Sequence, residues 1–314
     1  MLSTREAYGA ALASLADKYK FYVFDSDLAK ATQTAVFGKK CPDRFIDMGI
    51  AEANMMSHAA GFAASGATVF ASTFAQFAAG RAYDQVRNSI AYPNLNVKIG
   101  ATHGGVLIGA DGGSHQCIED LSLMRTIPNM VVLSPADEAE TYKCVEAAIE
   151  HTGCVYLRFS RFAAGQVYAS PEECPFEIGK GIVLRDGTDV TLVGIGDLVP
   201  RCAEAAIELE KKGISAAVID MACLKPIDKE LIIRYAKNTG CFVTAEDHNV
   251  IGGLCGAVSE VLSQICPVPL EAVGVADTFG RSGEPAELAE LFGLTAANIV
   301  AQAKKAVMRK SALR

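Results

Sequence analysis

Short runs of Val, Ile and Phe alternate with longer, alanine-rich segments of helical period along the whole chain, and no other feature restricts the fold as strongly. An apolar run bounded by turn residues suits a strand buried on both faces, and parallel strands of that kind need a helical crossover between them. In the first half, strands are predicted at 21–24, 45–47, 68–71, 96–100, 130–134 and 155–159, with helices near 51–65, 74–91 and 136–151. Between 163 and 181 the rhythm lapses into a polar stretch carrying Pro171 and Pro175, a composition suited to a connection between domains. Beyond it, strands at 190–195, 215–220, 241–246 and 271–274 alternate with helices near 199–212, 229–238 and 252–263. A last helix over 296–309 ends in basic residues, where positive charge suits the negative pole of the helix. The expected fold is α/β with two doubly wound domains: a larger, mostly parallel-sheet domain over 1–165, a linker over 166–185 and a smaller domain over 186–314.

With 314 residues, each of two domains can bury a core of its own. A formal net charge of -7 argues against sequence-independent nucleic-acid binding, which needs a clustered excess of Lys and Arg. The ten cysteines are scattered singly, with no CxxC pair, and Cys144, Cys154 and Cys241 sit in apolar stretches as small buried hydrophobes do. A reducing compartment fits that usage. The opening MLSTREAYGAAL lacks the basic start and apolar core of a signal peptide, and no apolar run reaches spanning length. The expectation is a cytoplasmic protein without a nucleic-acid or membrane partner.

Three segments carry chemistry. RFIDMGIAEANM (44–55) reads as a strand, a turn at Gly49 and the first turn of an apolar helix, so Glu52 lies at a helix N-terminus. There the helix dipole favours its ionised form and burial opposes it, a balance suited to proton transfer; the bland alternative is a surface glutamate that only complements the dipole. STFAQFAAGRAYDQVR (72–87) sets Phe74 and Phe77 three apart on one helical face, which is also a common core arrangement. THGGVLIGADGGSH (102–115) follows a strand and holds His103, Asp111 and His115 among glycines. Its spacing matches no zinc pattern and neither the GxGxxG nor the Walker phosphate loop. A hydroxyl-binding, proton-handling loop suits two imidazoles and a carboxylate best, because histidine titrates near neutrality and both donates and accepts.

Taken together and in this order, these segments resemble the pyrimidine-binding half of transketolase, continuously from about Asp25 to Arg161 and more weakly to the end. The resemblance implies a pyrimidine-binding domain followed by a transketolase C-terminal domain, and thiamine diphosphate as cofactor. It implies that Glu52 hydrogen-bonds the pyrimidine N1′ and that Phe74 and Phe77 enclose the ring. His103, Asp111 and His115 then contact the hydroxyls of a ketose donor, with both histidines assisting proton movements. Arg161, in LRFSR, matches the arginine that holds a sugar phosphate, whereas Arg158 divides evenly between that role and a structural one. TAEDHNVIGG resembles the family's EEHxxxGG segment, which makes Glu246, Asp247 and His248 interface or turn elements.

Two departures matter. Gly80 stands where the family often has a third pocket aromatic, so one wall is built differently. The family's diphosphate motif, a GDG with an asparagine segment downstream, has no counterpart: Asp111-Gly112 lies in the substrate loop, and Gly196-Asp197 lacks the second glycine. The resemblance is therefore to the C-terminal subunit of a split transketolase. It implies a separate N-terminal subunit that binds the diphosphate with Mg²⁺ or Ca²⁺, an α2β2 assembly, sugar phosphates as substrates and activity only in the complex. Rival readings are a 1-deoxyxylulose-5-phosphate synthase, which shares RAYDQV and GADG but usually carries Asp-Arg at Thr102-His103, a 2-oxoacid dehydrogenase β subunit, and a non-catalytic scaffold of the same fold.

Overall fold

The computed structural model describes residues 1–312. Its strands are, in chain order, β1 (Tyr22–Asp25), β2 (Phe45–Asp47), β3 (Val69–Phe74), β4 (Val97–Thr102), β5 (Val131–Leu133), β6 (Val155–Arg158), β7 (Ile182–Arg185), β8 (Val190–Gly194), β9 (Ala216–Asp220), β10 (Cys223–Lys225), β11 (Phe242–Asn249) and β12 (Leu270–Val275). Its helices are α1 (Thr4–Leu15), α2 (Ala29–Thr32), α3 (Ala35–Lys40), α4 (Glu52–Ala64), α5 (Asp120–Thr126), α6 (Glu138–Glu150), α7 (Leu198–Glu210), α8 (Lys229–Thr239), α9 (Leu254–Ile265), α10 (Pro285–Leu291) and α11 (Ala296–Ala312). The first sheet has the order β10-β5-β6-β4-β3-β1-β2, and the second β12-β11-β8-β9-β7. Each is parallel apart from one antiparallel edge strand, β10 against β5 and β7 against β9. The architecture is the expected α/β pair of doubly wound sheets.

Those two edge strands tie the halves together. The chain leaves the second sheet at β9 and crosses at once to add β10 to the first, with Ser134 N donating to Ala222 O at 2.8 Å on the way. β7 falls inside the stretch expected to be linker and covers an edge of the second sheet. The apolar cores follow the same course: one buried cluster includes Met55, Val69 and Ile99 of the first half and Val193, Leu231 and Phe242 of the second. Such continuity makes the two sheets one packed body rather than beads on a hinge.

Helix α4 illustrates why the segments fold as they do. Its buried residues are Glu52, Met55, Met56, Ala59, Ala60 and Ala63, the spacing of a single helical stripe. Residues 74–91 depart from the helix expected there. Phe74 closes β3, where it pairs with Thr102, because the run from Val69 to Phe74 is β-branched and aromatic and fully buried between β1 and β4. The alanine-rich remainder winds as two wide π-helical stretches, Gln76–Arg81 and Gln85–Ala91. Wide turns of this kind recur at functional sites.

A buried acidic pair lies on the seam between the halves. Glu140 of α6 meets Asp220 at the end of β9, and the Tyr168 hydroxyl donates to Asp220 Oδ2 at 2.9 Å. Among the described residues Glu140 Oε1 and Asp220 Oδ1 have no hydrogen-bond partner, and both groups are fully buried. Two carboxylates cannot both stay charged there: burial raises both, the charge of Asp220 raises Glu140 further, and the pair retains a proton. A carboxyl raised on folding stabilises the protein fully below its unfolded pKa, and that contribution is lost as pH rises through the folded value. Glu140→Gln keeps a donor for Asp220 but does not titrate. It should therefore lose less stability than the unaltered protein between pH 5 and pH 9 in urea denaturation, and parallel losses would contradict the shared proton.

Candidate functional site

The site is built where β3, β4 and the start of α4 end on the same side of the first sheet, the carboxyl edge at which α/β folds place their loops. Gly49, at φ +71°, makes the turn into α4, and its N–H donates to Asp47 Oδ1 at 2.9 Å. Glu52 then opens the helix with only 2% of its surface exposed, which removes the reading of a surface dipole partner. One nitrogen of Arg81, Nη1, straddles both carboxylate oxygens at 2.9 and 3.0 Å. Arg81 arrives from the end of the first π-helical stretch, and its side chain is about half exposed. Neither an exposed arginine nor its reach to Glu52 carried a signal in the sequence beyond its place in RAYDQV.

The aromatic residues gather beside that ion pair. Phe74 and Phe77 stack with centroids 5.7 Å apart, although one ends a strand and the other lies in the π-helical stretch. The guanidinium carbon of Arg81 lies 4.4 Å from the centre of the Phe77 ring. His103 stacks on Phe74 at 3.9 Å, and His115 stands edge-on to Phe77 at 5.5 Å and to Phe74 at 6.3 Å. The structure thus brings Glu52, Phe74, Phe77, His103 and His115 into one patch, with Arg81 as a sixth member.

His103 differs from the titrating base expected of it. It is 2% exposed, holds φ +60° and shares a hydrogen bond between Nδ1 and Thr102 Oγ1 at 2.9 Å. Burial first, then the charges of Arg5, Arg161 and His115, lower its pKa to about 3. It is a neutral imidazole at physiological pH, able to give or take a hydrogen bond but not to serve as a standing cation. Asp111 and Arg161 lie at the outer end of the loop, paired to each other through Arg161 Nη1 at 2.9 Å, and that nitrogen also donates to Ile108 O at 2.8 Å. Arg5 Nε donates to the Arg161 carbonyl at 3.0 Å. Among the described residues no group of three or more His, Cys, Asp or Glu is arranged to hold a metal ion.

The second domain holds the loop in place. Asp247, from β11, accepts hydrogen bonds from Val106 N at 2.9 Å and Leu107 N at 3.1 Å. Arg158 is buried beneath, with Nε on Asp120 Oδ2 at 2.9 Å and Nη2 on the Asp247 carbonyl at 2.8 Å, so it braces the seam and does not face the site. A side chain on Gly104 would strike Arg158, and one on Gly105, at φ +85°, would strike the Asp247 carboxylate. The paired glycines of THGG are therefore spacers for two charged groups, and of the two expected roles, interface or turn, Asp247 fits the interface.

The family model described as "Transketolase, pyrimidine binding domain" matches residues 1–166, and "Transketolase, C-terminal domain" matches residues 179–299. A provisionally named transketolase C-terminal section of Methanocaldococcus jannaschii is 47% identical over 297 residues, covering 94% of this chain and 93% of that protein. The solved structure of a split gene transketolase, an inactive beta4 tetramer, matches with a TM-score of 0.92 at 52% identity and covers 99% of this chain and 100% of that one. A 1-deoxy-D-xylulose-5-phosphate synthase of Desulforudis audaxviator is 33% identical across the whole of this chain, which spans 50% of that relative.

Two measurements check the geometry. The His103 ring-proton NMR shift should stay constant from pH 8 to pH 5, and a midpoint near 6.5 would contradict its burial. Asp247→Ala leaves two buried N–H groups without their acceptor, removes a negative charge close to buried Arg158 and keeps the carbonyl that Arg158 holds, and should cost about 2–5 kcal/mol in urea denaturation. A loss below about 0.5 kcal/mol, the level of an ordinary surface change, would contradict the fastening role.

Proposed function

The chain belongs to the transketolase family, and from that premise we propose that it is the C-terminal subunit of a thiamine-diphosphate-dependent transketolase. Its reaction is transfer of a two-carbon ketol unit from a ketose phosphate to an aldose phosphate. A separate N-terminal subunit holds the cofactor's diphosphate and its Mg²⁺ or Ca²⁺. Two copies of each make the assembly. The split is supported by near-complete coverage of the M. jannaschii C-terminal section and the split gene transketolase, against half of the synthase.

One observation carries the reading. A planar, N–H-bearing guanidinium rests over Phe77 and donates to the buried Glu52 carboxylate. An aminopyrimidine is also planar and can present an N–H at a ring nitrogen, so the donor set and the aromatic floor fit the cofactor's ring. When bound, thiamine diphosphate supplies an acidic ring carbon that carries the two-carbon fragment between donor and acceptor. Glu52 would accept the hydrogen bond from the pyrimidine N1′ and keep a proton on that atom, favouring the imino tautomer. Phe74 and Phe77 would floor the ring and exclude water. His103, neutral, and His115 would meet the sugar hydroxyls, and the two histidines would relay protons there. Asp111 would accept from a further hydroxyl, and Arg161 would turn from it to the phosphate end of the substrate.

The shared RAYDQV and GADG segments keep a 1-deoxyxylulose-5-phosphate synthase as the second reading, and an assay offering pyruvate in place of a ketose donor separates the two. The direct test is reconstitution with the diphosphate-binding subunit. The assembled enzyme should transfer ketol units, the chain alone should not, and Glu52→Gln should assemble yet lose about 10²–10⁴-fold in kcat. Robust turnover by the chain alone would refute the split assignment, and an unimpaired Glu52→Gln complex would refute the role of Glu52.

A further inference from the structure

Arg81 belongs to neither the aromatic floor nor the hydroxyl-binding loop, yet it covers the Glu52 carboxylate at the bottom of the site. Its Nη1 sits 2.9 and 3.0 Å from the two oxygens of Glu52, and its guanidinium carbon is 4.4 Å from the Phe77 ring centre. An ionised carboxylate that is 3% exposed at its side chain cannot be left without a donor, because lost hydration has to be replaced. Arg81 supplies that donor from a side chain that is 53% exposed, so it can swing into solvent without leaving a buried charge of its own.

The proposed function puts a second planar donor, the cofactor's aminopyrimidine, on the same carboxylate and the same ring. Two groups cannot occupy that space together. Resting on that reading, we propose that Arg81 is an internal stand-in for the aminopyrimidine: it satisfies Glu52 and covers Phe77 while the site lacks cofactor, and cofactor binding displaces it. The stand-in acts through Glu52 and takes no part in bond making. Two effects of opposite sign follow from competition for one acceptor. Removing Arg81 uncovers a buried carboxylate, which weakens the cofactor-free chain. It also removes the fraction of molecules in which the site is blocked, which tightens cofactor binding by that fraction. An arginine that simply braced the fold, or one that held the cofactor, would give only losses.

The test uses Arg81→Ala, Glu52→Gln and the double variant. In the chain alone, Arg81→Ala should lower the melting temperature by about 2–4 °C, and the drop should vanish when Glu52 is already Gln. In the complex reconstituted with the diphosphate-binding subunit, thiamine diphosphate titrated calorimetrically in excess Mg²⁺ should bind Arg81→Ala about 3–10-fold more tightly than the unaltered complex. Binding that is weaker or unchanged overturns the stand-in, as does a melting temperature that Arg81→Ala leaves untouched. If the unaltered complex itself binds no thiamine diphosphate, the proposed function and this inference fall together, an outcome distinct from the other two.

Discussion

A carboxylate taken out of water must find donors or give up its charge, and the arrangement around Glu52 follows from that requirement. The helix that carries it buries a full stripe of methionine and alanine, and Glu52 opens that buried stripe. Its dipole offers partial positive charge at the first turn, and the remaining donor comes from Arg81 across the opening of the site. Around this contact β3 is extended to Phe74, the next segment is wound wide enough to bring Phe77 and Arg81 alongside, and His103 is laid flat on Phe74.

The loop that meets this floor is positioned from the other domain. Asp247 grips two successive backbone N–H groups, and Arg158 ties the Asp247 carbonyl to Asp120 at the head of α5. A buried cation between two acids is favourable only when all its partners are present, which makes the seam cooperative. β10, the continuous core and the Glu140 and Asp220 pair reinforce the same joint. The C-terminal domain thereby fixes the shape of a loop to which it contributes no residue.

Much of this was legible because buried parallel strands are written as apolar runs: β6, β8 and β9 lie within a residue of their expected bounds. The edge strands β7 and β10 were not, since each is short, pairs antiparallel and draws its partner from a distant segment. Residues 74–91 read as one helix because alanine periodicity does not distinguish an α-helical from a π-helical winding, nor does it show that Phe74 is claimed by the ladder to Thr102. At the site, Glu52, Phe74, Phe77, His103 and His115 were recognisable by type and order, and the fold gathers them. Arg81 was not, because an arginine on an alanine-rich segment looks like a solvated face until its partner is known. The role of Arg158 was open for the same reason, and the low pKa of His103 depends on burial that loop composition does not disclose.

In the proposed function, Glu52 is the acceptor for a ring whose other end is anchored on a different polypeptide. A crystal structure of this chain assembled with its diphosphate-binding subunit and thiamine diphosphate measures it directly. The proposed function requires the pyrimidine to lie on Phe77 with a ring nitrogen about 2.7–2.9 Å from the Glu52 carboxylate, and the diphosphate to rest on the other subunit. A ring bound elsewhere, or a diphosphate held by this chain alone, would contradict it.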